Sequence, residues 1–329
     1  MTGSHPSLPD EKIGVLLINL GTPEGTDYWS VRRYLSEFLS DRRVIEMAPF
    51  LWQMILQGII LTIRPGRSGR AYARVWDKET NESPLRRITR NQSDELRAAL
   101  DDKRLVIDWA MRYGQPSIAQ KLDTLQKAGC QKILLAALYP QYSATTTATA
   151  YDKAFDALRA MRWQPAIRTM APYHDHPSYI YALKSSLEKH LSTLGWEPDT
   201  ILASFHGLPK KYFEAGDPYY CHCAKTTRLL REAMGYDDAK LQLTFQSRFG
   251  PAAWLEPYTD DVLSELAAEG RKRVIVITPG FSADCLETIE EISEENLKKT
   301  EENLKKGQFS MEDYLSQLKQ MKKMGGVEG

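Results

Sequence analysis

Short runs of apolar residues recur along the chain and alternate with segments whose apolar residues follow a helical period. The runs are Ile13–Leu20, Leu105–Ala110, Ile133–Leu138, Ala166–Met170, Ile201–Phe205, Leu241–Phe245 and Val274–Thr278. Nearly continuous apolarity over about five to eight residues is typical of strands buried on both faces of a parallel sheet. Amphipathic segments such as Ser178–Leu191, Ala224–Met234 and Tyr258–Glu269 lie between them. This alternation predicts a doubly wound α/β fold.

Polar and aromatic residues follow several of the predicted strands directly. They include Arg112, Tyr113, the segment Tyr139–Ser143, His206 and the segment Gln246–Arg248. In open α/β sheets the ligand crevice lies outside the carboxyl ends of the strands. We therefore expect the functional site at these strand ends.

Length, composition and charge narrow the class of protein. With 329 residues the chain can form two domains, and a turn at Trp163–Pro165 is a candidate hinge between them. Apolar residues make up 42% and charged residues 26%, as in soluble globular proteins. Basic and acidic residues number 43 each, which argues against a partner held by general basic attraction, such as nucleic acid. Four scattered cysteines and a polar N-terminus without a signal core predict a cytoplasmic protein.

The most apolar segment is Pro49–Ile63. It falls short of the roughly 20 residues that span a membrane and is interrupted by Gln53, Gln57 and Gly58. One interpretation is a buried or lip-forming helix. The other is an apolar rim that contacts a membrane or an apolar ligand.

His206 is the leading candidate for chemistry. It ends a predicted strand and precedes Gly207, so it lies on a turn. Imidazole can accept a proton near neutral pH or bind a metal such as Fe²⁺. The alternative is a histidine that only bonds a local backbone group.

An acidic stripe follows the last predicted strand. On a helix, Glu287, Glu291 and Glu295 are spaced i, i+4 and i+8 and form a line about 12 Å long. Such a line can pass protons or a hydrated cation towards a pocket. The alternative is the solvated face of an ordinary amphipathic helix.

Two further sets of possible metal ligands favour structural roles. His174 and His176 stand in a polar loop, and Cys221 and Cys223 make half a metal site without the other half. The segment Gly21–Thr26 lacks the ending of a phosphate-binding loop.

Taken together, these segments resemble the ferrochelatase family. The matching stretches include VLLINLGTPE, FLSDRRVIE, MRYGQPSI, LYPQYSATTT, SFHGLPKKYFEAGDPYYCHC, TFQSRFGPAAWLEPYTDD and VITPGFSADCLETIEEI. The likeness runs in order from about residue 13 to residue 296. It implies two similar Rossmann-like domains with parallel sheets and a cleft between them.

The resemblance implies a role for each matching residue. His206 corresponds to a metal ligand and proton acceptor, and Glu287 to the acidic residue that faces it across the porphyrin. Glu291 and Glu295 correspond to carboxylates of a proton or metal relay. Porphyrin-binding segments are matched by Arg112, Tyr113, Tyr139, Gln141, Ser143, Ser83 and Arg74. Cys285 stands where some relatives have a second histidine.

The implied reaction inserts Fe²⁺ into protoporphyrin IX to give protohaem. No cofactor is required, Fe²⁺ is a substrate, and no iron–sulfur cluster is expected. The apolar segment Pro49–Ile63 implies contact with the membrane periphery. The alternatives are a chelatase for another divalent metal, a porphyrin- or haem-binding protein without turnover and, on the tail alone, a targeting or adaptor protein.

The tail differs from the rest. Residues 297–329 resemble the linker into the methionine-rich domain of the signal recognition particle protein, which suggests a chimera or a sequence error. If so, the strand and helix that close the second domain are replaced, and activity is less secure than family membership. The predicted organisation is a disordered N-terminus (1–12), an N-terminal α/β domain (13–164), a C-terminal α/β domain (165–296) and a helical tail (297–329).

Overall fold

The computed structural model describes residues 12–248, 250 and 252–289. All seven predicted strands are present, and their ends differ from the predicted ones by at most three residues. The strands are β1 (Lys12–Gly21), β2 (Leu105–Tyr113), β3 (Cys130–Ala137), β4 (Ala166–Thr169), β5 (Thr200–His206), β6 (Leu241–Gln246) and β7 (Val274–Ile277). Lys12, predicted to be disordered, is the first residue of β1.

Helices alternate with the strands, as the amphipathic segments predict. They are α1 (Tyr28–Leu39), α2 (Pro49–Ile55), α3 (Leu61–Val75), α4 (Pro84–Leu100), α5 (Ile118–Lys127), α6 (Thr149–Ala160), α7 (Pro177–Thr193), α8 (Lys210–Glu214), α9 (Tyr219–Met234) and α10 (Thr259–Ala268). Two π-helical turns, Leu56–Ile60 and Ala144–Ala148, precede α3 and α6.

The strands form two parallel sheets, in the orders β2-β1-β3-β4 and β6-β5-β7. Successive residues of a strand point to opposite faces of its sheet. In β5, Ile201, Ala203 and Phe205 pack with residues of α7 and α9, whereas Leu202 packs with α10. Both faces of this sheet are therefore covered by helices, which confirms the predicted α/β class.

The first sheet is built in the same way. Leu16 and Ile18 of β1 are fully buried in a cluster with Leu122 and Leu125 of α5. On the other side of β1, the buried Asn19 donates a hydrogen bond to Thr89 of α4 at 3.0 Å. Each sheet thus has its own core, one per compact unit.

The predicted boundary at residue 164 requires correction. β4 pairs with β3 at the edge of the first sheet, and the first unit extends to Pro172. The Trp163–Pro165 turn is therefore an ordinary connection between α6 and β4. In addition, Pro140–Tyr142 belongs to the second unit, which otherwise begins at Tyr173. The cleft expected between the halves stays a prediction.

The apolar segment Pro49–Ile63 is helical and mostly exposed. Phe50 is 79% exposed and Ile63 72% exposed, while Leu56 and Leu61 are buried and anchor the segment. The exposure of Pro49–Ile63 therefore favours a lip-forming helix or an apolar rim over a buried helix.

Candidate active site

His206 lies at the carboxyl end of β5 and is half-buried. Its Nδ1 lies 2.7 Å from the carbonyl oxygen of Gly207. A carbonyl oxygen can only accept, so Nδ1 carries a proton, and in the neutral ring Nε2 holds the free lone pair. The local backbone bond named as the alternative is therefore present, and it is compatible with a base or a metal ligand at Nε2.

Gly207 permits the turn that presents His206. Its N–H donates to the carbonyl oxygen of Gln246 at 2.7 Å. A Cβ atom at this position would lie 2.8 Å from that same oxygen and 3.3 Å from the Trp254 ring. Because the first neighbour is backbone, a larger residue could be accommodated only by moving the β5–β6 ladder.

Glu287 follows β7 on a short helical turn and is half-buried. Its backbone carbonyl accepts a hydrogen bond of 3.1 Å from the side-chain amide of Gln246. The side chain of Cys285, which is 6% exposed, lies close to the Glu287 carboxylate. Burial, together with the charge of Glu287, raises the pKa of the Cys285 thiol and keeps it protonated.

Gln246 joins the turns of His206 and Glu287, although the sequence analysis assigned it no individual role. It pairs with His206 in the β5–β6 ladder and contacts the Glu287 turn through its side chain. The available signal was its position at a strand end, in the segment Gln246–Arg248. The rest of the predicted stripe, Glu291 and Glu295, lies outside the described residues.

A second polar group lies at the end of β2 in the first unit. The buried Asp41 carboxylate accepts hydrogen bonds from Arg112, Thr149 and the Tyr113 hydroxyl, the last at 2.8 Å. Burial opposes ionisation of Asp41. The hydrogen bonds from Thr149, the Arg43 N–H and Tyr113, with the charge of Arg112, outweigh it and lower the pKa of the carboxyl.

Arg112 opens onto a cleft of about 550 Å³ in this unit. The lining residues are Arg32, Arg33, Ser36, Glu37, Ser40, Asp41, Arg112 and Lys153. Four basic side chains face two carboxylates, and Asp41 is already saturated by hydrogen bonds. The cleft is therefore suited to an anionic group such as a carboxylate.

The other predicted porphyrin-binding residues are mostly engaged within the protein. Ser143 is fully buried and caps the π-helical turn through Thr145, and Ser83 is buried and caps α4. Gln141 is 2% exposed and donates to Thr226 at 3.0 Å. Tyr139 is half-buried and Arg74 is exposed. Ser83, Gln141 and Ser143 are therefore bonded to the protein itself, and their role in porphyrin binding stays a prediction.

His174 and His222 form a contact that the sequence did not suggest. Their rings stack 3.6 Å apart at 7°, and the backbone N–H of Tyr142 donates to Nδ1 of His222 at 3.2 Å. His176 instead caps α7. Cys223 is buried and Cys221 is exposed, so the two thiols lie in different environments.

Among residues 12–248, 250 and 252–289, no three His, Cys, Asp or Glu side chains are grouped to hold a metal ion.

A ferrochelatase family model matches residues 12–318 of the chain. The chain belongs to the ferrochelatase family. The matched range continues past residue 296, where we expected the resemblance to end, and includes part of the tail.

Relatives from several bacteria support this assignment. The ferrochelatase of Rhizobium meliloti is 61% identical over 290 residues, covering 88% of this chain and 86% of the relative. That of Agrobacterium fabrum is 58% identical over 296 residues, covering 90% and 86%. The solved structure of SirB from Bacillus subtilis with Fe³⁺ covers 91% of the chain at 11% identity and a TM-score of 0.44, a likeness too weak to argue from.

Proposed function

We propose that this ferrochelatase-family protein inserts Fe²⁺ into protoporphyrin IX, giving protohaem, with His206 and Glu287 handling the metal and the pyrrole protons. The observation that carries the assignment to these residues is the orientation of His206. Its Nδ1–H is held by the Gly207 carbonyl, so Nε2 is left as an acceptor. The same turn is bonded to Gln246, whose side chain contacts Glu287.

The reaction defines what the protein must supply. Two pyrrole N–H protons leave the porphyrin, one Fe²⁺ enters and loses its water ligands, and the oxidation state of iron does not change. A neutral imidazole can accept a proton at Nε2 or hold the ion. The Glu287 carboxylate offers oxygen atoms that exchange readily with the water ligands of the metal. Since no electron is transferred, the reaction itself needs no redox cofactor.

We assign porphyrin binding to the segments around Arg112, Tyr113, Tyr139, Gln141, Ser143, Ser83 and Arg74. Arg112 is the strongest of these, because its guanidinium is fixed by Asp41 and Thr149 beside a cleft rich in basic groups. A rigid pocket can hold the macrocycle bent, which exposes the nitrogen lone pairs to the ion. Glu291 and Glu295 are assigned to the relay on the resemblance alone.

Anaerobic metallation tests this proposal. Purified protein is mixed with protoporphyrin IX and Fe²⁺, and loss of porphyrin fluorescence is followed over time. We expect turnover by the parent protein, and large losses of rate in His206→Ala and Glu287→Ala without loss of porphyrin binding. Equal rates in all three proteins would contradict the site assignment. Binding without turnover by the parent would indicate a porphyrin carrier.

A chelatase that prefers another divalent metal is the second candidate. It is favoured by the ligand types, because an imidazole and a carboxylate also accept Co²⁺ and Zn²⁺. Parallel assays with the three metals at equal concentration decide between the two.

We further propose that the protein works in the cytoplasm and contacts the membrane periphery. Within the described part of the chain, no helix is both long and apolar enough to cross a membrane. The exposed apolar residues Phe50, Leu51, Met54, Ile59 and Ile63 support contact with an apolar surface.

A further inference from the structure

We propose that Gln246 is a positioning residue that sets the separation between the His206 imidazole and the Glu287 carboxylate. This inference rests on the proposed function. It concerns one residue at the carboxyl end of β6, in the second unit, to which the sequence assigns no role.

Three hydrogen bonds link the backbone turns that carry His206 and Glu287, and two of them involve Gln246. His206 Nδ1–H donates to the Gly207 carbonyl at 2.7 Å. The Gly207 N–H donates to the Gln246 carbonyl, also at 2.7 Å. The Gln246 side-chain amide then donates to the Glu287 carbonyl at 3.1 Å. Thus the main chain of one residue holds the histidine turn, and its side chain holds the glutamate turn.

The Gln246 side chain has little freedom to leave this arrangement. It is 5% exposed, and its Oε1 accepts a hydrogen bond of 2.8 Å from the buried Ser204 hydroxyl. The Glu287 carbonyl can only accept, so the NH₂ end of the amide must face it, and the oxygen end faces the Ser204 hydroxyl, which donates. A buried amide with both ends occupied holds its position well.

The functional consequence concerns the metal. A ligand pair must keep its spacing while Fe²⁺ exchanges water for porphyrin nitrogens, and groups behind the ligands usually supply that rigidity. Without the Gln246 amide, the Glu287 turn loses its bond to the strand that carries the partner of His206. We therefore expect slower metal insertion with undisturbed porphyrin binding.

The first experiment compares Gln246→Met with the parent protein. Methionine has a similar length and volume but forms neither hydrogen bond. We expect kcat for iron insertion to fall about 10- to 100-fold, the usual range for residues behind metal ligands. The KM for Fe²⁺ should rise, while porphyrin affinity, followed by fluorescence, should not change.

The matched control is Thr227→Val. Thr227 is buried in the second unit, and its hydroxyl donates to the Cys223 carbonyl within α9 at 3.0 Å, apart from the hydrogen bonds of Gln246. We expect this variant to lower the thermal midpoint and leave kcat unchanged. If the loss of kcat in Gln246→Met merely follows the loss of thermal stability, as judged by Thr227→Val, the inference is wrong.

A conservative variant gives a readout that a purely structural role would not move. In Gln246→Glu the protonated carboxyl can still donate to the Glu287 carbonyl, whereas the ionised form cannot. The activity of this variant relative to the parent should therefore fall as pH rises. A ratio that does not depend on pH, or full activity in Gln246→Met, would refute the positioning role alone. An inactive parent protein would instead refute the proposed function and the inference with it.

Discussion

At the scale of single residues, hydrogen bonds with neighbouring groups fix the polar side chains of the candidate site. Asp41 is the clearest case, since three side chains donate to its carboxylate in the first unit. His206 is the counterpart in the second unit, where one backbone carbonyl selects its tautomer. The position of each of these two side chains is therefore set by hydrogen bonds with its neighbours.

Removing the charge of Asp41 should affect both stability and porphyrin binding. Its side chain and that of Arg112 are 8% and 10% exposed, and breaking a buried pair costs about 3–5 kcal/mol. We expect Asp41→Asn to lower the urea midpoint and weaken porphyrin affinity, because the Arg112 guanidinium is no longer fixed. Asp152→Asn is the control, since its pair with Arg43 is about half exposed and such pairs contribute about 0–1 kcal/mol. Equal effects would contradict this view of Asp41.

The stacked histidines should make stability depend on pH. Burial, with the neighbouring His222, lowers the pKa of His174 to about 4, partly offset by Asp175, while Lys225 lowers it further. The unfolded chain, with a pKa near 6.5, therefore binds more protons between these values. The contribution of neutral His174 to the free energy of unfolding is complete above pH 6.5 and is lost as pH falls towards 4. Because phenylalanine stacks without titrating, His174→Phe should reduce this dependence in urea titrations at several pH values, and unchanged slopes would disprove it.

At the scale of elements, the carboxyl ends of the parallel strands carry the polar residues, as predicted for open α/β sheets. β2 ends with Arg112 and Tyr113, β5 with His206 and β6 with Gln246. Tight backbone contacts at these ends leave little room for larger residues.

Gly207→Ala should therefore disturb the site. The added methyl group would press on the Gln246 carbonyl at 2.8 Å, and overpacking of this kind costs about 1–3 kcal/mol. We expect a lower thermal midpoint and reduced metal insertion, because the turn that holds His206 must shift. Gly195→Ala is the matched control, since no atom lies within 4 Å of the added Cβ. The idea fails if the two variants behave alike.

The exposed apolar segment Pro49–Ile63 gives a second prediction at this scale. Phe50 and Ile63 are more than two-thirds exposed, so replacing them by serine should leave the fold intact. We expect Phe50→Ser/Ile63→Ser to reduce sedimentation with phospholipid vesicles, since apolar area available for insertion is lost. The control is Trp163→Ser, which removes a half-exposed aromatic side chain from a different part of the first unit. It should sediment like the parent.

At the scale of the whole molecule, the described chain forms two compact units, each with a parallel sheet and its own apolar cluster. Leu122 belongs to the first cluster and Leu230 to the second, and both are fully buried. Such separate cores are the basis for units that open independently.

Cavities in the two cores should have local effects. Leu122→Ala and Leu230→Ala should each cost about 2–5 kcal/mol in their own unit. We expect hydrogen exchange followed by mass spectrometry to show faster exchange in peptides of the first unit for Leu122→Ala and of the second for Leu230→Ala. Uniform acceleration across both units would mean that they unfold together.

The sequence by itself determined the strands, the alternation with helices, the strand-end location of the polar residues and the family. These follow from local patterns, because burial on two faces needs a continuous apolar run wherever the strand lies in the fold. His206 and Glu287 were likewise found from position and motif. Their roles in catalysis stay predictions, as do those of Glu291 and Glu295.

Only the tertiary structure decided which distant residues meet. It placed the edge strand β4 in the first sheet, stacked His174 on His222, and turned Ser83 and Ser143 inward as helix caps. It also joined Gln246 to the His206 and Glu287 turns. The physical reason is that a hydrogen bond depends on distances between atoms far apart in the chain, and no local pattern of polarity contains them.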